Sequence, residues 1–391
     1  MPLQPAAGAR DLNPHQVEHN HQICNQLAAT YRLWGYEEVS PPRIERIDTL
    51  IAGGTIDRKE IVKLVADETL GLRPEMTASI ARAACTRLSQ KARPLRLWAA
   101  GTVFESKPSF DGSIFIEEEL KSGVELLGIK SIAAELELLS LLLQATKKIQ
   151  TNSINKPKLL IGHTALMEII LRPYKGEIKS KIHKSLTQFN RLELNNLQLS
   201  HENKEKLFNL LSFRGKPSEV LDKLEEEFGK EQTIIDLRRL FRLLEQQTNC
   251  EDIIIQLDPT FQPHFEFYTG IVFQLVCQGI SAPIVIASGG RYDSLLKKCG
   301  AIEEDAAGVG FTFDVEKIRE LKPIVKESNL TRESVLIAFN DNSFLEEAFI
   351  RQKEWHKKNK IAIIEFETCN QKEDARKKML IRDCSELDWI S

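Results

Sequence analysis

His15 and His19 lie four residues apart, one turn of a helix, so both imidazoles would share a face and could hold a metal ion. No carboxylate or cysteine completes that set, so a solvated helix face is the simpler reading of the pair. Glu117, Glu118 and Glu119 form an acidic run that could bind a cation. On a strand the same run serves to blunt edge pairing. Phosphate chemistry fares worse. The chain has no Gly-x-x-x-x-Gly-Lys-Ser/Thr loop, and Gly308-Val309-Gly310 lacks the third glycine and the strand-turn-helix setting of a dinucleotide loop. No arginine occurs between Arg96 and Arg172. The stretch Val103–Gly128, VFESKPSFDGSIFIEEELKSGVELLG, carries glutamates where a phosphate-gripping loop would need planar guanidinium forks.

The elements that must position these residues can be traced by period. Val17, Ile23, Leu27, Tyr31 and Trp34 recur at helical intervals over 15–34, and Gly35 stops the helix. Pro41 and Pro42 force an extended stretch after it. Short strands around a turn at Asp67–Glu68 are expected over 61–72, then a helix entered through Pro74. LRLWAAGTVF and LKSGVELLGI read as strands, and SIAAELELLSLLLQATKKI as a long helix with lysines in its last turn. KLLIGHT reads as a strand, and 164–248 as a charged, helical insertion. DIIIQLD, GIVFQLVC and PIVIASGG are β-branched strands, and GVGFTFDVEKI closes the block. After Lys322 the composition shifts, and SVLIAFND, a helix over 344–358 and IAIIEFE make a small β-α-β unit.

At 391 residues the chain exceeds one small core, so two or three domains are expected. Hydrophobic residues at 42% and charged residues at 28% describe an ordinary globular composition. A net charge of −3 supplies no global pull toward nucleic acid or an anionic membrane. MPLQPAAGARDLNP lacks the apolar segment of a signal peptide, and no window is apolar for the ~18 residues that a membrane span needs. Seven cysteines, none in Cys-x-x-Cys spacing, suit free thiols in a reducing cytoplasm.

Four stretches, in order, resemble the histidyl-tRNA synthetase family. WGYEEVSPPRIER is similar to its first motif, LGLRPEMTASIAR to the start of its second, FYTGIVF to the end of its histidine signature, and SGGRYDSLLKKCG to its second signature. The resemblance spans about 320 residues and implies an α+β fold. That fold has a class II aminoacyl-tRNA synthetase-like antiparallel sheet flanked by helices, a helical insertion at about 164–248, and a small C-terminal α/β piece. The implied division is a core over 1–322 and a short region over 323–391. The first motif implies a homodimer.

In that family a Glu and a Thr hold the substrate ammonium, a carboxylate and a Tyr read its imidazole, and arginines grip ATP. The matching positions are Glu75 and Thr77 for the ammonium, and Glu125 and Tyr268 for the ring. A carboxylate can accept from one ring N–H while a phenol pairs with the other nitrogen. Arg291 and Tyr292 fall in a turn expected to shape the pocket. Lys121 replaces a glutamine and could meet the ligand carboxylate, or be no more than a solvent-facing lysine. The ATP half departs from the pattern: Glu105 stands for the arginine after Val-Phe, and Ile116, Glu117 and Glu118 for others. Pro263 stands for the arginine opening the histidine signature, and Lys317 for that of the third motif. A glutamate beside a triphosphate repels it.

A synthetase-like core without adenylation residues, plus a shortened C-terminal piece, resembles the family of ATP phosphoribosyltransferase regulatory subunits. That resemblance implies a non-catalytic chain whose partner is the short-form catalytic subunit, in a hetero-oligomer that performs the first step of histidine biosynthesis. L-Histidine would be the effector, with no cofactor, metal, membrane or nucleic acid involved. Two other readings stay open: a tRNA- or enzyme-binding synthetase paralogue, and a divergent histidyl-tRNA synthetase. Lys121 and Pro263 also leave open a subunit that activates without sensing histidine.

Overall fold

The computed structural model describes residues 4–52, 58–109, 111–149, 156–247, 252–262, 268–302, 305–321 and 334–391. The chain divides into two compact units, Met1–Lys322 and Pro323–Ser391. In the first, α1 (Pro14–Leu33) opens on a capping box: the Asn13 side chain accepts from the Gln16 amide while Gln16 returns a bond to the Asn13 N–H. The extended stretch gives β1 (Glu37–Glu38) and β2 (Ile44–Arg46), followed by the short α2 (Ile47–Ile51) and β3 (Leu70–Leu72). Where paired strands are expected over 61–72, only β3 forms. It pairs with β2, and Lys63 adds an isolated bridge to Gly71. The exposed segment Ala66-Asp67-Glu68 offers no large apolar side chain to anchor a longer ladder.

Helix α3 (Thr77–Cys85) leads into β4 (Leu95–Pro108) and β5 (Ile114–Leu127), two fourteen-residue antiparallel strands. The acidic stretch is therefore the outer part of a long ribbon. Then come α4 (Ala133–Ile149), β6 (Lys158–His163) and six helices over 164–247: α5 (Thr164–Leu171), α6 (Gly176–Thr187), α7 (Arg191–Asn196), α8 (His201–Leu210), α9 (Pro217–Phe228) and α10 (Gln232–Gln247). The chain returns through β7 (Ile254–Leu257), β8 (Ile271–Gln278), β9 (Pro283–Arg291), α11 (Asp293–Lys298), β10 (Gly308–Asp314) and α12 (Val315–Leu321).

The eight-stranded sheet runs β1-β4-β5-β10-β9-β8-β6-β7. Its central pairs are antiparallel, and the two outermost pairs, β1–β4 and β6–β7, are parallel. One face packs α1 and α4 through Ile23, Leu27, Tyr31, Leu138 and Leu142, all fully buried, against Val124, Phe311 and Phe313. A second core lies under α3 and α11, where Met76, Ile80, Leu97, Leu295 and Leu296 close together. This is the antiparallel, helix-flanked α+β architecture expected from the four stretches.

The second unit holds a three-stranded parallel sheet, β12-β11-β13, formed by β11 (Ser334–Phe339), β12 (Ile361–Ile364) and β13 (Glu386–Ile390). Helices α13 (Leu345–Lys357) and α14 (Lys372–Ile381) pack on it. It is one helix and one strand richer than the β-α-β unit read from the sequence. Trp389 and Leu387 supply the apolar side of β13 that the charged segment after 367 concealed.

Candidate functional site

The first unit contains a cavity of about 380 Å³ between the turn before α3, the β4–β5 ribbon, β9 and β10. Its formation follows from local chemistry. Pro74 has no amide hydrogen to donate at the approach to α3. Glu75 then folds back, its carboxylate accepting from the first helical amides: Ala78 N at 2.9 Å and Thr77 N. A carboxylate at a helix N-terminus satisfies orphan donors and complements the helix dipole. Burial nonetheless holds Glu75 above the ordinary carboxylate range, the amide bonds and Lys121 opposing it.

Thr77 points the other way. Its Oγ1 donates to Glu125 Oε1 at 2.7 Å, and the Tyr292 hydroxyl donates to Oε2. Both oxygens of Glu125 are thus occupied, and the residue is only 3% exposed. A Cβ at position 310 would overlap Glu125 Oε2, so Gly310 on the facing strand is what lets the carboxylate lie there. Burial pushes Glu125 up to about 8, against the two hydroxyl bonds, which pull it down. Burial and the nearby Glu125 also drive the Tyr292 and Tyr268 phenols upward, so both remain protonated. Tyr268 lines the cavity and packs over Gly290, where a Cβ would stand 2.7 Å from its ring.

The sequence-derived residues therefore separate. Glu75, Thr77, Lys121, Tyr268 and Tyr292 line the cavity. Glu125 sits behind Thr77 and Tyr292 and is not itself in the lining. Arg291 is turned away from it. Its Nε donates to Glu135 Oε1 at 2.6 Å and its Nη1 to Ile129 O and Asp293 Oδ1, so it fixes the turn from behind rather than touching a ligand. Alternation explains the difference between Arg291 and Tyr292: successive residues leaving a strand face opposite ways.

The other half of the cavity is built from carboxylates and lysines. Lys121, one of the lining residues, pairs with Glu119 at 2.7 Å. Lys317 pairs with Asp314 at 2.7 Å and Glu119 at 3.4 Å. Burial would lower Lys317, but these two carboxylates outweigh it and hold the ammonium charged. Further out, Lys107 bonds Glu117 and lies 3.3 Å from Glu105. On β5, Glu117, Glu119 and Lys121 share the inner face, and Ile116 and Glu118 the outer one, exposed. Pro263 lies outside the described residues.

Four carboxylates, Glu60, Glu75, Glu105 and Asp314, meet two lysines in the lining. An amino-acid ammonium is attracted to such a cleft and a triphosphate is not. Reasoning from the sequence missed Glu60 and Asp314, and placed Glu119 in an acidic run without its pairing to Lys121 and Lys317. The period-two spacing of Glu119 and Lys121 was the readable signal for Glu119; Asp314 joins through its pairing with Lys121, and Glu60 from a turn whose carbonyl accepts from Ser106 N. His15 and His19 stand edge to face with centroids 6.1 Å apart on α1. Among the described residues no helix is long and apolar enough to cross a membrane.

A histidyl-tRNA synthetase family model matches residues 8–318. The chain is 54% identical over 390 residues to an ATP phosphoribosyltransferase regulatory subunit of Prochlorococcus marinus, covering 100% of both chains. It is 50% identical over 390 residues, again 100% of both, to the protein of that name from a Synechococcus species. Among solved structures it is similar to an ATP phosphoribosyltransferase regulatory subunit/histidyl-tRNA synthetase from Bacillus halodurans. The TM-score is 0.82 at 25% identity, over 99% of this chain and 97% of that one.

Proposed function

The chain belongs to the histidyl-tRNA synthetase-like family of ATP phosphoribosyltransferase regulatory subunits, and from that premise we propose that it is the histidine sensor of that enzyme. It serves histidine biosynthesis as the regulatory partner of a catalytic subunit. We read that partner as the short form, with this chain a homodimer in a mixed assembly in the cytoplasm, where its six described cysteines stay free. The chain itself carries out no adenylation in this reading.

The observation that carries it is the contrast between the two halves of one cavity. On one side Glu75, Thr77, Tyr268 and Tyr292 present oxygens to a cationic, aromatic amino acid, with Glu125 behind them. On the other, Glu105 and Lys317 stand where the resemblance expects the arginine forks that a triphosphate requires, with Asp314 and Lys121 beside them. Glu75 takes the ammonium, and Lys121 exchanges Glu119 for the ligand carboxylate. The ring meets Tyr268 and, once Thr77 or Tyr292 releases an oxygen, Glu125. Inhibition then requires that histidine bind one state of the assembly more tightly than the other. Reciprocally, substrates that favour the active state weaken histidine binding.

The test is phosphoribosyl-ATP formation by the catalytic chain with and without this protein across a histidine titration. Activity that depends on this chain and falls as histidine rises supports the sensor. Activity indifferent to histidine overturns the site, and no effect of the chain at all overturns the function.

A further inference from the structure

The outer β4–β5 ribbon is the least supported part of the sheet. β10 pairs with β5 only as far as Lys121, opposite Asp314. Beyond that point Thr102–Pro108 and Ile114–Leu120 pair only with each other. A two-stranded ribbon in water is marginal by itself, yet this one carries Glu105 into the cavity lining and Glu119 to the lysines there. Its β4 edge is braced by backbone bonds from Phe104 N to Arg73 O and from Ser106 N to Glu60 O. Its β5 edge meets residues that precede α1.

Those residues form an arm with two contact points. Ala9 N turns back to Ala6 O at 3.0 Å, which places Gly8 at φ +87° flat against β5. A Cβ there would overlap Ile116 O and stand 2.7 Å from Phe115 Cδ2. Glycine is required twice over, by the positive φ and by the approach. Two residues on, Arg10 donates to Glu316 Oε2 at 2.7 Å, with Glu320 at 3.7 Å. Its guanidinium is held charged by Glu316 first, and Glu117 of the ribbon adds to this. The root of the arm is fixed because α1 is tied to α12 by Arg319, which donates to the buried Asn20 at 2.9 Å.

We propose that this arm is a strap that positions the ribbon over the cavity, with Gly8 and Arg10 as its fastenings and α12 as its anchor. Its charge logic is explicit. Arg10 bonds Glu316 and lies near Glu320 on α12, and the Glu117 charge on the ribbon also favours its cation, so an acidic residue at position 10 would be repelled by all three. The same helix carries Lys317, which shares Glu119 with Lys121. Loosening the strap therefore loosens the lysine contacts of the cavity. The consequence for histidine rests on the reading given under Proposed function; the consequence for the ribbon does not.

Hydrogen exchange on the full-length protein separates the two. Arg10→Glu should raise deuterium uptake several-fold in peptides covering 103–119, with α4 unchanged as an internal control. The swapped pair Arg10→Glu with Glu316→Arg should restore protection, which a general loss of folding would not. Gly8→Val should reproduce the loosening by steric means. L-Histidine affinity, measured on the same variants by calorimetry, should fall several-fold in parallel. Unchanged uptake over 103–119 in both Arg10→Glu and Gly8→Val overturns the strap. Wild-type protein that binds no histidine, while the exchange pattern holds, overturns the sensor reading and leaves the strap supported.

Discussion

Thr77 and Glu125, 48 positions apart in the chain, meet at 2.7 Å with the Tyr292 hydroxyl on the second carboxylate oxygen. This closed triad carries a buried carboxyl that burial has pushed up to about 8. An unfolded glutamate titrates near 4.5. Between these values the folded chain binds a proton that the unfolded chain has released. Stability is therefore full below the lower value and declines as pH rises toward about 8. Glu125→Gln, neutral throughout, is expected to flatten that decline. Urea midpoints of both proteins between pH 5 and 8.5 measure it, and parallel curves would refute the shift.

Histidine binding should sense the same proton. A ring N–H that donates to Glu125 favours the ionised carboxylate, so association near neutral pH releases a proton. Calorimetry in buffers of different ionisation enthalpy should give different apparent heats, and Glu125→Gln should remove that difference.

Thr77→Ala and Tyr292→Phe each leave one Glu125 oxygen without its donor. An unsatisfied buried acceptor costs about 1–3 kcal/mol. The free energy of unfolding, read from urea midpoints, should drop by that amount in each. Because both act on one carboxylate, the double variant should lose less than the sum of the two. A fully additive double variant would place the two residues in separate roles.

Lys121 should act on the ligand carboxylate. Lys121→Ala is expected to weaken histidine by roughly ten- to a hundredfold, from the roughly 1.5–3 kcal/mol of a charged hydrogen bond, while leaving histamine, which lacks the carboxylate, bound as before. Equal losses for both ligands would return Lys121 to a purely structural pairing with Glu119.

ATP should neither bind measurably nor compete with histidine, since Glu105 and Asp314 add negative charge to the cavity lining. The double variant Glu105→Arg with Lys317→Arg should gain weak ATP affinity that falls with salt. ATP binding by the unaltered chain would contradict the electrostatic argument.

Arg291 and Glu135 make a buried pair 156 residues apart at 2.6 Å. Removing one partner strands a charge, at a cost of about 3–5 kcal/mol. Arg291→Met should lower Tm markedly, and adding Glu135→Leu should recover part of the loss. Thermal unfolding followed by circular dichroism reads both.

Much of this was legible before folding. The strands of β4, β5, β8 and β9 showed as apolar, β-branched runs, and the missing arginines were plain from the count between Arg96 and Arg172. The ribbon was not, because the runs read as strands stop at Phe104 and resume only at Leu120. Its outer residues are strand because each side supplies the other's hydrogen bonds across a fixed register, Glu105 opposite Glu117. Arg291 looked like a ligand contact beside Tyr292, and only strand alternation turns one inward and the other toward Glu135. Glu60 and Asp314 carried no motif at all.

The sequence by itself determined the fold family, the helices and most strands, and the replacement of cationic phosphate grips by glutamates. Those properties reside in residue type and local period, which neighbours along the chain establish. The tertiary structure decided which groups face the cavity, that Glu125 lies behind Thr77 and Tyr292, and that residues 8–10 fasten the ribbon to α12. Each of these depends on groups tens to hundreds of positions apart being brought within bonding distance, and only the packed sheet and its helices fix those distances.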